Sequence, residues 1–153
     1  MERLTFNIFI NAPKKHVWET MLNKPTYEEW TAAFQEGSTY QGDWSEGSEI
    51  LFTSTMDDGK SGMSAIVKEN RPYDFVSLQH VGEIVNGEKK PWSESEMGYP
   101  EGAETFENYT FTEKDGGTEV LVEMDTSSKY KEMFATMWPK ALEKLKEVAE
   151  AGQ

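Results

Sequence analysis

The sequence predicts an α+β domain: a curved antiparallel sheet of seven strands wraps a long C-terminal helix, and two short helices follow the first strand. Three observations carry this. The N-terminus alternates apolar and polar residues with period two, a series of strand-like runs separated by turn signals begins at residue 38, and the C-terminal end repeats apolar residues at helical spacing.

Leu4, Phe6, Ile8 and Ile10 alternate with Arg3, Thr5 and Asn7, the pattern of a half-buried strand. Asn11-Ala-Pro13 ends it. Asn11 is placed to accept from the first free N–H groups of a helix, and Pro13 stands where a helix needs no donor. That helix carries Val17, Trp18, Met21 and Leu22 until Lys24-Pro25 breaks it. Thr26-Tyr-Glu-Glu29 reads as a capping box for a second helix bearing Trp30 and Phe34.

Glu46-Gly47, Asp57-Asp-Gly59-Lys60, Asn86-Gly87 and Lys114-Asp-Gly-Gly117 supply residues that accept the positive φ angles of tight hairpins. They bound strands at 38–45, 48–57, 61–70, 74–85, 104–113 and 118–126, expected to pair as an antiparallel meander. Residues 87–103 hold two prolines, three glycines and no periodicity, so they are expected to be a long loop. Within it, Trp92 and Tyr99 are suited either to a lid or to pinning the loop down.

The final segment is a helix over about 128–150, roughly 34 Å long at 1.5 Å per residue. Tyr130, Phe134, Met137, Trp138, Ala141, Leu142, Leu145, Val148 and Ala149 form its apolar face. Lys140, Glu143, Lys144, Lys146, Glu147 and Glu150 form its polar face, and Pro139 is expected to bend it. With no repeat, linker or low-complexity tract, residues 1–153 are expected to be one domain.

Composition narrows the function. The 153 residues include 15 Lys+Arg against 28 Asp+Glu, a net charge of -13, which repels phosphate backbones and anionic membrane surfaces. Nucleic acid and membrane are therefore not expected as partners. Disulfides and thiolate metal sites are excluded by the lack of cysteine. Two histidines, His16 and His80, are too few for a usual zinc site, so no metal or other cofactor is expected. A strand pattern starting beside Met1 and no apolar run near the roughly 20 residues that span a bilayer predict a cytoplasmic protein. No Gly-x-Ser-x-Gly elbow or phosphate-binding glycine loop is present, and no catalytic residue is assigned.

One helix about 10 Å wide does not fill the concavity of a strongly curved sheet. The remaining space is either plugged by bulky side chains or left as a cavity, and five Trp, eight Phe, six Tyr and eight Met suit both outcomes. Trp30, Phe34, Trp44, Phe52, Met56, Met133, Met137 and Trp138 are the apolar residues placed around it. His80, on a strand face with Val76 and Leu78, and Tyr109, on a face with Glu107 and Phe111, are its polar candidates. Core packing is the alternative for each apolar position, an outward or structural histidine for His80, and a solvated strand-end acid for Glu107.

Phe9-Ile-Asn-Ala-Pro13 followed by Val17-Trp18 resembles the opening of the START-like, helix-grip superfamily, also called SRPBCC. Phe106-Glu-Asn-Tyr-Thr-Phe111 and Gly117-Thr-Glu-Val-Leu-Val122 resemble its late strands. Met137-Trp-Pro-Lys-Ala-Leu142 with Leu145-Lys146 is similar to the C-terminal helix of the branch related to activators of the heat-shock-protein-90 ATPase. The resemblance spans about residues 3–150 and implies a START-like, helix-grip domain. The superfamily includes lipid and hormone binders, polyketide cyclases and chaperone activators, so it implies several functions. The leading expectation is a carrier or sensor of a small apolar molecule of the lipid, sterol or aromatic polyketide class. A cyclase or dehydratase using His80, Tyr109 and Glu107 is the second, and a module docking on a protein partner is the third.

Overall fold

The computed structural model describes residues 2–34, 36–54, 61–92, 99 and 104–152. Strand β1 (Glu2–Ile10) turns Leu4, Phe6 and Ile8 towards the core and leaves Arg3, Thr5 and Asn7 exposed. Helix α1 (Lys14–Leu22) buries Val17, Trp18, Met21 and Leu22. Asn11 does not cap it. Ala12 N–H already bonds the Ile10 carbonyl at 2.9 Å, the capping position falls on Pro13, and Asn11 donates its backbone N–H to Glu150 Oε2 at 2.8 Å.

The capping box at Thr26 is not formed either. Asn23, extended at φ -68° and ψ 140°, separates the helices, and α2 (Lys24–Thr31) begins before the box with Pro25 in its first turn. The fixed φ of proline suits a helix start, so Lys24-Pro25 both ends one helix and opens the next. Thr26 Oγ1 turns back to the Asn23 carbonyl at 3.2 Å.

The remaining elements are β2 (Ser38–Gly42), β3 (Glu49–Ser54), β4 (Ser61–Arg71), β5 (Phe75–Val85), β6 (Glu88–Pro91), β7 (Thr105–Lys114), β8 (Gly117–Thr126) and α3 (Lys131–Ala151). The sheet is antiparallel, in the order β1-β8-β7-β5-β4-β3-β2, with β6 pairing β5. This is the curved sheet expected, with one strand more than the seven read from the pattern. Four residues assigned to the long loop, Glu88–Pro91, form β6. Asn86 and Gly87, at φ 52° and 81°, make the tight turn that folds it onto β5. Asp115 and Gly116, at φ 48° and 81°, join β7 to β8 in the same way.

Two features of β5 fix what faces the core. Leu78 and His80 stand opposite Val67 and Ala65, but the next pair is Gly82 with Ser64, so Val81 is an extra residue. Directly opposed residues share a face. Ile84 therefore joins Gly62 on the side opposite to His80, although the two have the same parity in sequence. Gly82 itself lies so close to β6 that an added Cβ would run into the Lys90 carbonyl. Gly82→Ala is expected to lower stability by about 1–3 kcal/mol, read as a reduced urea midpoint at unchanged slope. A midpoint equal to the parent's would show that β6 yields freely.

Helix α3 covers the concave face, burying Trp138, Ala141, Leu142, Leu145 and Ala149. It begins at Lys131, three residues later than expected, and continues through Pro139. Its 21 residues make it about 31 Å long. His16 Nε2 meets the Ala149 carbonyl at 2.8 Å, and Lys146 donates to the Phe9 carbonyl at 3.0 Å, fixing its C-terminal half on α1 and β1.

Candidate functional site

Where the N-terminal half of α3 faces α2 and the strands, side chains do not close the gap, and a hollow of about 430 Å³ remains. Helix α2 contributes Tyr27 and Trp30 one turn apart, with Phe34 just beyond its end. The strands add Phe52 from β3, Met63 from β4, His80 from β5, and Glu107 and Tyr109 from β7. From α3 come Met133, Phe134, Met137 and Trp138. The volume lies within the range of small-molecule pockets, about 300–1,000 Å³. Met133, 43 % exposed, marks the outer end of the α3 wall.

The apolar wall is largely aromatic. Trp138 packs edge-on to Phe34 at 4.8 Å between ring centroids and lies 6.1 Å from the rings of both Trp30 and Tyr109. Its indole N–H points to Met124 Sδ at 2.9 Å. Trp30 donates to the Met21 carbonyl at 3.1 Å, which locks α2 to α1.

At the sheet the hollow becomes polar. The core-facing row of β7 runs Thr105, Glu107, Tyr109, Phe111, placing an acid between Leu78 of β5 and Met124 of β8. A carboxylate in such a row is costly unless donors meet it. Tyr109 donates its hydroxyl to Glu107 Oε2, and His80 Nε2 lies 3.3 Å from Oε1. With the Nε2 hydrogen directed at Glu107, Nδ1 is left as a buried lone pair with no partner among the described residues. The His80 carbonyl is held in turn by Thr105 Oγ1 at 2.8 Å and Trp92 Nε1 at 3.2 Å.

Burial pushes the Tyr109 hydroxyl well above the ordinary tyrosine range, and the Glu107 charge adds to it. Tyr27 is raised for the same two reasons, burial first, with a smaller contribution from Tyr40. Both phenols thus stay neutral donors beside the carboxylate. Among the described residues, no group of three or more His, Asp or Glu could hold a metal ion, and no helix is long and apolar enough to cross a membrane.

The family model of the activator of Hsp90 ATPase homolog 1-like proteins matches residues 11–150. The chain belongs to this family. No curated protein matches the sequence. Among solved structures, this activator of Hsp90 ATPase homolog 1-like chain is similar to the Aha1 dimer of Colwellia psychrerythraea, at 19% identity and TM-score 0.73, covering 100% of this chain and 99% of that one. It also resembles ChR145 of Cytophaga hutchinsonii, at 22% identity and TM-score 0.70, over 99% and 96% of the two chains. Protein MLL2253 of Mesorhizobium loti matches at 13% identity and TM-score 0.74, over 99% of both. These likenesses describe the fold.

In this activator of Hsp90 ATPase homolog 1-like fold, Trp30, Phe34, Phe52, His80, Tyr109, Met133, Met137 and Trp138 all face the one hollow. Trp44 does not. Its indole N–H bonds the Leu22 carbonyl at 3.1 Å, the acceptor also used by the Tyr40 hydroxyl at 2.7 Å, and this holds it behind Tyr40 and Phe52. Met56 lies outside the described residues. Trp92 and Tyr99 are buried against each other at 4.5 Å and are not among the residues that line the hollow. Tyr27 and Met63 were not among the sequence candidates. Tyr27 precedes Trp30 by one turn and Phe34 by two, a helical spacing that could have identified it had the turn at 26–29 not been read as a cap.

Proposed function

We propose that the protein binds a small apolar molecule in the hollow between α3 and the sheet and acts as its carrier or sensor. The observation that supports this reading is the unfilled 430 Å³ of space, walled by Trp30, Phe34, Met137 and Trp138 where a closed core would be packed. The eight site residues that surround it are proposed as ligand contacts. A thermal-shift screen with fatty acids, sterols and aromatic polyketides tests this. A ligand at one hundred times its dissociation constant stabilises the folded state by about 2.7 kcal/mol, so at least one compound is expected to raise the midpoint by several degrees. If no compound in any class does so, the reading is lost.

A second reading has its own support, the meeting of His80, Glu107 and Tyr109. A carboxylate held between an imidazole and a phenol is suited to moving a proton on a bound carbonyl compound, as a cyclase or dehydratase requires. Turnover of an aldol-type polyketide substrate that survives Glu107→Gln unchanged would exclude it.

A further inference from the structure

Granted that the hollow takes a ligand, its polar end restricts what that ligand carries. Among the described residues, Glu107 is the one acidic residue lining it, and no lysine or arginine does so. Both carboxylate oxygens are already engaged, one by the Tyr109 hydroxyl and one by His80 Nε2 at 3.3 Å. Tyr27 lines the same space and feels the charge of Glu107, and its hydroxyl, kept neutral by burial, is a further donor there. Each carboxylate oxygen keeps a second lone pair that can accept from a further donor, while the neutral Tyr27 phenol can donate.

We infer that the site selects an uncharged aromatic molecule bearing a hydroxyl group and rejects the corresponding carboxylate. The hydroxyl accepts from Tyr27 and donates to Glu107, so one small group satisfies both. An anionic head placed there finds no fixed cation among the described residues and meets the Glu107 charge in a poorly solvated space, where repulsion is weakly screened. The aromatic walls formed by Trp30, Phe34, Phe52 and Trp138 favour a flat ring system through offset and edge contacts. Fatty acids are therefore poor ligands, and hydroxylated ring compounds good ones.

Three probes on one ring system separate the terms: naphthalene, 2-naphthol and 2-naphthoate, titrated at neutral pH by calorimetry or tryptophan fluorescence. The expected order is 2-naphthol tightest by about tenfold or more over naphthalene, with 2-naphthoate weakest. Tyr27→Phe should bring 2-naphthol down towards naphthalene, and Glu107→Gln should raise 2-naphthoate relative to 2-naphthol by about tenfold. Circular dichroism and thermal midpoints establish that each variant is folded. If Glu107→Gln fails to fold, the parent's ranking and the Tyr27→Phe result decide alone. Equal binding of 2-naphthoate and 2-naphthol, or naphthol preference unchanged in Tyr27→Phe, overturns the selectivity while leaving an apolar pocket in place. Failure of all three probes while the thermal-shift screen finds a ligand overturns the selectivity alone, and failure of both removes the pocket reading with it.

Discussion

Trp138→Ala is expected to cost about 3–5 kcal/mol, the range for removing a large buried aromatic residue. The indole joins α3 to three other elements: Phe6 of β1 at 6.2 Å, Trp30 and Phe34 at the α2 end, and Tyr109 of β7. Its N–H also points to the Met124 sulfur of β8, a further tie between α3 and the sheet. Truncation would merge its own volume with a hollow that already exists, so the neighbours gain nothing by collapsing and the penalty should fall at the upper end. For a chain of this length the midpoint should drop roughly 6–20 °C. Trp138→Phe keeps most of the ring contacts and should lose less than half as much. A loss below 1 kcal/mol in Trp138→Ala would mean that these elements are joined elsewhere.

Alkaline pH should be the second large lever on stability. Up to about pH 10, the unfolded tyrosine value, folded and unfolded chains carry neutral phenols and full stability is present. Above that, the unfolded chain releases protons that Tyr27 and Tyr109 retain, because burial and the Glu107 charge raise their folded values. The unfolded state then binds fewer protons, and stability falls by about 1.4 kcal/mol per pH unit for each group, or nearly 3 for the pair. Urea unfolding between pH 9 and 11.5 measures the slope. Tyr109→Phe should reduce the slope by about half of that contribution. A Tyr109→Phe slope matching the parent's would show that the phenol ionises as readily folded as unfolded.

The sequence was most readable where one period ran undisturbed. The repeat from Trp138 to Ala149 located the buried face of α3, and the alternation from Leu4 to Ile8 located that of β1. Along β7, parity alone placed Glu107 and Tyr109 together, and the structure has them on one face and bonded. Where non-local bonds decide, pattern reading failed. Trp44 has the size and flanks of a cavity residue, yet a carbonyl at the end of α1 claims its N–H. Asn11 and Thr26 have good cap chemistry, but cap positions depend on where the helix starts to within one residue, and Pro13 and Pro25 decided that. β6 was hidden because Glu88–Pro91 is a short outer strand with exposed, charged side chains, so burial left no mark on its composition.

The extra residue at Val81 makes β5 a strand that must be counted rather than merely matched. Ahead of it the side chains address the interior, and behind it the same odd-even rule addresses the opposite surface. Were Val81 drawn into regular pairing with Ser64 instead, every later residue would slip by one: Ile84 would come opposite Ser61, on the face of Met63 and against the very space that His80 borders.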